Sequence, residues 1–151
     1  GSLTSQSGHV FHVTNTDAVI TLNDVKIVNE DSEKILLSVC ADGWSGGKNI
    51  ATLKASKQTL AGAVKVGNDS TLNLELSDGS SFEGSVDGII SNAKGENVST
   101  EVGTVSVTLD STSTWTLSAD SYVTSFNGDA ANVTANGPTL YVNGVALTGT
   151  K

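Results

Sequence analysis

Apolar and polar residues alternate along this chain in short bursts. Leu72-Asn73-Leu74-Glu75-Leu76 and Val105-Ser106-Val107-Thr108-Leu109 alternate cleanly. That period puts the apolar set on one face of an extended strand and Ser, Thr, Asn or Glu on the other. Phe11-His12-Val13, Ala18-Val19-Ile20-Thr21-Leu22 and Val25-Lys26-Ile27-Val28 read as further strands. The largely apolar run from Ile35 to Val39 reads as a strand buried on both sides, or as the start of a rung. No window sustains the i, i+3, i+4 apolar spacing over three turns, so no substantial helix is predicted.

The strands recur as larger units. Leu60, Gly62 and Val64 map onto Phe82, Gly84 and Val86 at a constant offset of 22 (82 − 60). Leu72, Leu74, Leu76, Phe82 and Gly84 map onto Val105, Val107, Leu109, Trp115 and Leu117 at an offset of 33 (105 − 72). The stretch from Val133 to Val142 repeats Val107 to Leu117 at an offset of about 25. Units of about 20–26 residues built of short alternating strands predict a β-solenoid. Asn23-Asp24, Asn68-Asp69-Ser70, Asp78-Gly79-Ser80, Asp110-Ser111-Thr112, Asn127-Gly128, Asn136-Gly137 and Asn143-Gly144 separate the strands. These residues tolerate the backbone of tight corners. Each pair also suits a hairpin, but the units match along their length and not only at the turns, which favours the solenoid. Residues 41–49 and 87–101 interrupt the repeat as insertions, and residues 29–34 form a polar loop. In a solenoid, insertions gather at one corner or face, often the binding face.

The 151 residues are one domain's worth of chain. Gly1-Ser2 reads as a cloning scar, and residues 3–151 as a single domain that is the C-terminal fragment of a longer chain. Charged residues make up 16% and aromatics 5%, a balance that suits narrow polar rungs more than a thick core. All eight basic residues are lysines and the formal charge is −8. This argues against nucleic acid, which needs clustered cations, and against anionic membrane surfaces. No apolar run is long enough to span a bilayer. The single cysteine, Cys40, lies in an apolar run and reads as a small core residue. The lack of a disulfide does not exclude an extracellular address.

The run from Val10 to Leu22, the Ala41-Asp42-Gly43-Trp44 loop and Gln58-Thr59-Leu60-Ala61-Gly62 resemble the C-terminal part of right-handed parallel β-helix proteins. These are large surface or secreted proteins of Firmicutes in the pectin-lyase-like group, some of carbohydrate-binding-domain type. The resemblance covers roughly residues 8–145 and is architectural. It implies an all-β chain, a right-handed parallel β-helix of about five rungs. It also implies an extracellular or cell-surface location, with rungs missing upstream or an N-terminal end capped in some other way.

The catalytic motifs of that group are not reproduced. Asn15-Thr16-Asp17 matches the Asn-Thr-Asp of polygalacturonases, but there is no Asp-Asp pair, no Gly-His-Gly and no arginine. Asn15 and Asp17 read instead as corner residues that bond their own backbone. The group's lyases use a basic residue beside calcium-holding aspartates, whereas Lys54, Lys57 and Lys65 lie near no Asp cluster. Asn29, Glu30, Asp31 and Glu33 offer oxygens to calcium, but their spacing matches no calcium loop. A solvated acidic loop is the preferred reading, and no cofactor is expected. His9 and His12 fall on opposite faces of an extended chain and make a poor metal pair.

Trp44 stands in a polar insertion between Gly43 and Gly46. It suits either stacking on a sugar ring or plugging an open end of the solenoid, and both readings stay open. Trp115 aligns with Phe82 and Leu60 and is expected in the core; Tyr141 is expected to point outward, and Tyr122 and Phe126 to share a face. The outward Thr71, Ser106, Thr108 and Thr116 suggest an ice-binding ladder, but Lys54, Asn73 and Glu75 break it. The expected function is a non-catalytic polysaccharide- or glycan-binding module of a bacterial surface or secreted protein. Trp44, Asp42, Asn49 and Tyr141 are its candidate ligand-binding residues. The alternatives are a structural stalk, cap or protein-directed adhesin segment, or a relative of polysaccharide lyases and hydrolases. An unpaired terminal rung also predicts an edge-mediated homodimer.

Overall fold

The computed structural model describes residues 1–41, 48–91 and 95–151. Its local structure follows the alternation. In Thr71–Ser77, Leu72, Leu74 and Leu76 are buried and the four residues between and around them reach the surface. Thr104–Leu109 does the same with Val105, Val107 and Leu109.

The strands assemble into three main parallel sheets. The first runs Thr16–Asn23, Asn49–Ser56, Thr71–Ser77, Thr104–Leu109 and Ser125–Asn127 from edge to edge. The second holds Thr59–Ala61, Ser81–Gly84, Thr114–Leu117 and Val133–Thr134. The third holds Phe11–Val13, Ile35–Val39, Ala63–Val66 and Val86–Asp87. The chain visits them in a fixed order. Asn49–Ser56, Thr59–Ala61 and Ala63–Val66 are followed by Thr71–Ser77, Ser81–Gly84 and Val86–Asp87, and then by Thr104–Leu109 back in the first sheet. Ser2–Ser5 pairs in parallel with Lys26–Asn29. Ser121–Val123 pairs in parallel with Leu140–Val142, on which Val145–Ala146 turns back antiparallel. Among the described residues no helix is long and apolar enough to cross a membrane.

Register turns the sequence repeat into side-chain ladders. Leu60, Phe82, Trp115 and Val133 stand one above another in the second sheet, at steps of 22, 33 and 18 residues (82 − 60, 115 − 82, 133 − 115). Ile20, Leu53, Leu74, Val107 and Phe126 form the central inward row of the first sheet. The offsets of 22 and 33 are therefore those of the sequence. The last offset is not. Val107 lies opposite Phe126, a step of 19 (126 − 107), and not opposite a residue near Val133. The final coil is short because Ser125–Asn127 has three residues where Thr104–Leu109 has six. An alternating pattern looks the same in every sheet, so sliding it by one sheet leaves the match intact.

The corner between the first two sheets is built twice over, in backbone and in side chains. Asp24, Lys57 and Asp78 occupy it with φ of 53°, 52° and 53°, a left-handed conformation that Asp adopts more easily than Lys. Inside it the Gln58 amide accepts from Val25 N–H (2.9 Å) and donates to Val25 C=O (2.6 Å). The Ser80 hydroxyl in turn accepts from Gln58 N–H at 3.0 Å. One coil on, Asp110 accepts from the Thr112 hydroxyl (2.7 Å), Asp78 N–H (3.0 Å), the Ser113 hydroxyl (2.9 Å) and Thr112 N–H (3.0 Å). These donors, the Thr112 hydroxyl foremost, lower its carboxyl pKa from the usual 3.8 to about 2. The folded carboxyl holds its proton less tightly than the unfolded one. Its stabilisation is therefore complete above pH 3.8 and disappears as the pH falls to about 2. Asp110→Ala is expected to lower the melting temperature at pH 7, with the gap to the parent closing by about pH 2. A gap that stays constant across a calorimetric pH series would contradict this.

Candidate functional site

The outward residues of the third sheet form a row. With Phe11, Val13, Leu37, Val39, Val64, Val66 and Val86 turned toward the core, alternation leaves His12, Ser38, Lys65 and Asp87 on the other face, opposite one another in register. The Lys65 ammonium donates to both Asp87 carboxylate oxygens at 2.9 Å. Both charged groups are about one-fifth exposed, so water screens the pair only in part.

Both insertions leave from this sheet toward the first. One follows Ile35–Val39 and the other follows Val86–Asp87. The second folds into an antiparallel pair, Ile90–Ser91 with Asn97–Ser99. Asp87 Oδ1 accepts from Ile89 N–H at 3.0 Å and the Ser99 hydroxyl accepts from Asn68 N–H at 3.0 Å, which fixes the insertion at both ends. Ile90, Ser99 and Cys40 close around Gly67. Ile90 and Cys40 are both buried there.

Across the sheet stands the polar loop 29–34. Asp31 anchors it, accepting from Gly8 N–H (3.0 Å) and Glu33 N–H (3.1 Å). The Gly8 and Glu33 N–H groups hold the Asp31 carboxyl below its usual pKa range. Asp31 thus shapes the loop's own turn, and among the described residues no group of three or more His, Cys, Asp or Glu is placed to hold a metal.

Between the loop and the hairpin lies a groove of about 1000 Å³. His9, Glu33, Ser38, Lys65 and Ser91 supply its polar lining, and Ile35, Ala63, Ile89 and Ile90 its apolar lining. Burial, and then the neighbouring His12, lowers the His9 pKa, while Glu33 and Asp31 pull it the other way. A neutral imidazole offers one donor and one acceptor. The expected opposition of His9 and His12 does not hold: their rings meet edge-on with centroids 5.8 Å apart. A bend at Val10 breaks the extended path between them. A second groove, of about 870 Å³, lies on the far side of the same loop, where Lys26, Lys34 and Lys57 face Asp24, Glu33 and Glu83.

The candidate residues read from the sequence fall in several places. Asp42 and Trp44 lie outside the described residues. Asn49 starts the second strand of the first sheet, where its side-chain oxygen accepts from Asn15 N–H at 2.7 Å. Asn15 is the corner residue there, with φ of 57°, whereas Asp17 lies within the strand. Tyr141 is half-buried and stacks on Tyr122, with centroids 5.2 Å apart and ring planes 7° from parallel. Its strand belongs to the last coil, so Asn49 and Tyr141 are not brought together. Tyr122 pairs with Tyr141 and not with Phe126, which faces the core. The groove residues His9, Glu33, Ser38 and Lys65 are not among the candidate ligand-binding residues of the sequence. The sequence did hold one clue, since Lys65 and Asp87 are separated by the repeat offset of 22 (87 − 65).

No protein-family model matches the chain, and no curated protein or solved structure matches it either.

Proposed function

We propose that the three parallel sheets close into a right-handed β-helix of about five rungs that serves as a non-catalytic glycan-binding module of a bacterial surface or secreted protein. The return of the chain to the first sheet at every third strand, the antiparallel pair of the insertion aside, supports the coil. The groove on the third sheet carries the functional reading. It is open, and it sets the Lys65, Ser91 and His9 hydrogen-bonding groups beside Ile35, Ala63, Ile89 and Ile90. Sugar polymers present that combination of hydroxyl edges and apolar ring faces. The two hydrogen bonds to Asp87 fix the Lys65 ammonium in place and leave it a third N–H to offer a ligand. No cofactor is needed for this role.

The test is retention on a panel of soluble and insoluble polysaccharides, with and without chelator. Wild-type protein is expected to bind at least one, equally well in both conditions. Lys65→Ala is expected to weaken binding by about 10-fold or more, the worth of one charge-assisted hydrogen bond, with its melting temperature measured alongside. Trp44→Ala reports whether the insertion that leaves the same sheet contributes a stacking surface. Failure to bind any glycan, or binding indifferent to Lys65→Ala, would move the assignment to a structural cap. The closure of the last coil by Val145–Ala146 and the C-terminal residues favours that second reading.

A further inference from the structure

Beyond Lys65 the outward row of the third sheet leaves the groove and continues over Asp87 to two tyrosines. Val86 N–H donates to the Ser121 hydroxyl at 3.0 Å, and that hydroxyl donates to Ala119 C=O at 3.1 Å. Ser121–Val123 therefore lies beside Val86–Asp87, on the side away from Ala63–Val66. Val86 and Ser121 are both fully buried, so alternation turns the next residues, Asp87 and Tyr122, outward. On its other side the strand is tied to the one that carries Tyr141. Ser121 N–H donates to Thr139 C=O at 3.0 Å, and Thr139 N–H donates to Asp120 Oδ1 at 2.8 Å. Tyr122 is thus held between Asp87 and Tyr141 along the row.

Tyr141 lies against one face of the Tyr122 ring, yet 41% of Tyr122 stays exposed. The exposed surface is its outer edge and the face that looks back along the row toward Asp87. Asp87 does not cover that face, because its carboxylate is drawn the other way, to the Lys65 ammonium. The ion pair keeps hydrogen-bonding capacity of its own. Lys65 gives two of its three N–H groups to Asp87. Asp87 Oδ1 accepts from Lys65 and from Ile89 N–H, whereas among the described residues Oδ2 accepts from Lys65 alone. One donor and one acceptor therefore stand side by side, next to an open aromatic face.

We propose that Tyr122 and the Lys65–Asp87 pair form a further subsite, outside the groove, for an uncharged pyranose that carries two adjacent hydroxyls. The inference rests on the glycan-binding reading and names the class of sugar. One hydroxyl accepts from Lys65 Nζ, its neighbour donates to Asp87 Oδ2, and the C–H face of the sugar ring lies on Tyr122. A sugar hydroxyl both donates and accepts, so an adjacent pair meets this donor and acceptor together. A sugar carboxylate does not. It would stand against Asp87 in a chain of formal charge −8, and Lys65 is already neutralised by that aspartate. The subsite and the groove share Lys65, so one polymer running across the strands occupies both.

Calorimetric titration tests this with soluble glucan, mannan, galactan, polygalacturonate and the methyl ester of that polygalacturonate, which differs from it only in charge. Wild-type protein is expected to bind at least one neutral polymer, and to bind polygalacturonate at least about 10-fold more weakly than the best of them. Tyr122→Ala is expected to weaken binding to that neutral polymer by about 10-fold, the worth of one aromatic contact. Asp87→Asn is expected to weaken it too and to narrow the gap between the neutral polymer and polygalacturonate. Polygalacturonate bound by wild-type protein as tightly as the best neutral polymer overturns the proposal, whether or not Tyr122→Ala folds. Neutral binding that Lys65→Ala weakens and a folded Tyr122→Ala does not overturns it as well, and leaves the groove reading standing. Binding to none of the polymers removes both.

Discussion

Trp115→Ala is expected to remove about 3–5 kcal/mol of unfolding free energy, the usual cost of emptying a large aromatic site in a core. The indole is fully buried and stacks on Phe82, with centroids 5.5 Å apart and planes at 24°. Its Nε1–H donates to Gly84 C=O at 3.0 Å. Truncation leaves a cavity in the middle of the Leu60–Phe82–Trp115–Val133 ladder and leaves that carbonyl without its partner. The loss is a large fraction of the roughly 5–15 kcal/mol that a domain has to lose. Trp115→Phe keeps the stack and gives up mainly the hydrogen bond, so its cost should fall near 1 kcal/mol plus the smaller volume change. Urea titration at 25 °C separates the two variants. A loss below about 1 kcal/mol for the alanine variant would mean that the ladder does not carry the core.

Gly84→Ala should be as damaging for an unrelated reason. A Cβ at Gly84 would lie 2.1 Å from Gly62 C=O and 2.6 Å from a ring carbon of Phe82. The nearest obstacle is the backbone of the adjacent strand connection, which cannot swing aside as a side-chain tip can. The two coils would have to separate locally, and a cost of about 3 kcal/mol or more is expected. Gly79 provides the comparison. It has φ of 77°, but a methyl group there would meet nothing within 4 Å, so Gly79→Ala incurs only the left-handed backbone penalty of about 1–2 kcal/mol. Thermal melts of both variants should rank Gly84→Ala well below Gly79→Ala. Equal melting temperatures would contradict the close approach of Gly62 and Gly84.

The fold was legible in the sequence wherever two kinds of signal coincided. Leu60, Phe82 and Trp115 share an alternating strand, Phe82 and Trp115 also follow a corner of Asp, Gly or Ser, and their ladder follows the offsets read from the chain. Beyond Leu117 the corners Asn127-Gly128, Asn136-Gly137 and Asn143-Gly144 are unevenly spaced, so alternation alone sets the match. A period of two does not say which sheet a strand joins, and the last coil slipped. The same slip hid the tyrosine stack. Tyr122 and Tyr141 pair at a step of 19 (141 − 122), whereas an offset of about 25 sets them out of register. The site was less legible than the fold, because its geometry rests on contacts between distant residues. Asn49 stands in a polar insertion of the sequence, but its amide oxygen caps the corner at Asn15. His9 joins the groove through the bend at Val10, and no residue type announces that bend. Lys65 and Asp87 were the exception, since the repeat itself predicts that a lysine and an aspartate 22 apart (87 − 65) stand side by side.

The central claim is that the groove on the third sheet holds a glycan, and amide chemical-shift mapping tests it most directly. The labelled protein is titrated with a soluble oligosaccharide of whichever polysaccharide retains it. Saturable shifts are predicted at His9, Ser38, Lys65 and Ser91, with Asn73 and Ser106 on the outer face of the first sheet unmoved. Shifts confined to the first sheet, or none at concentrations that saturate retention, would contradict it.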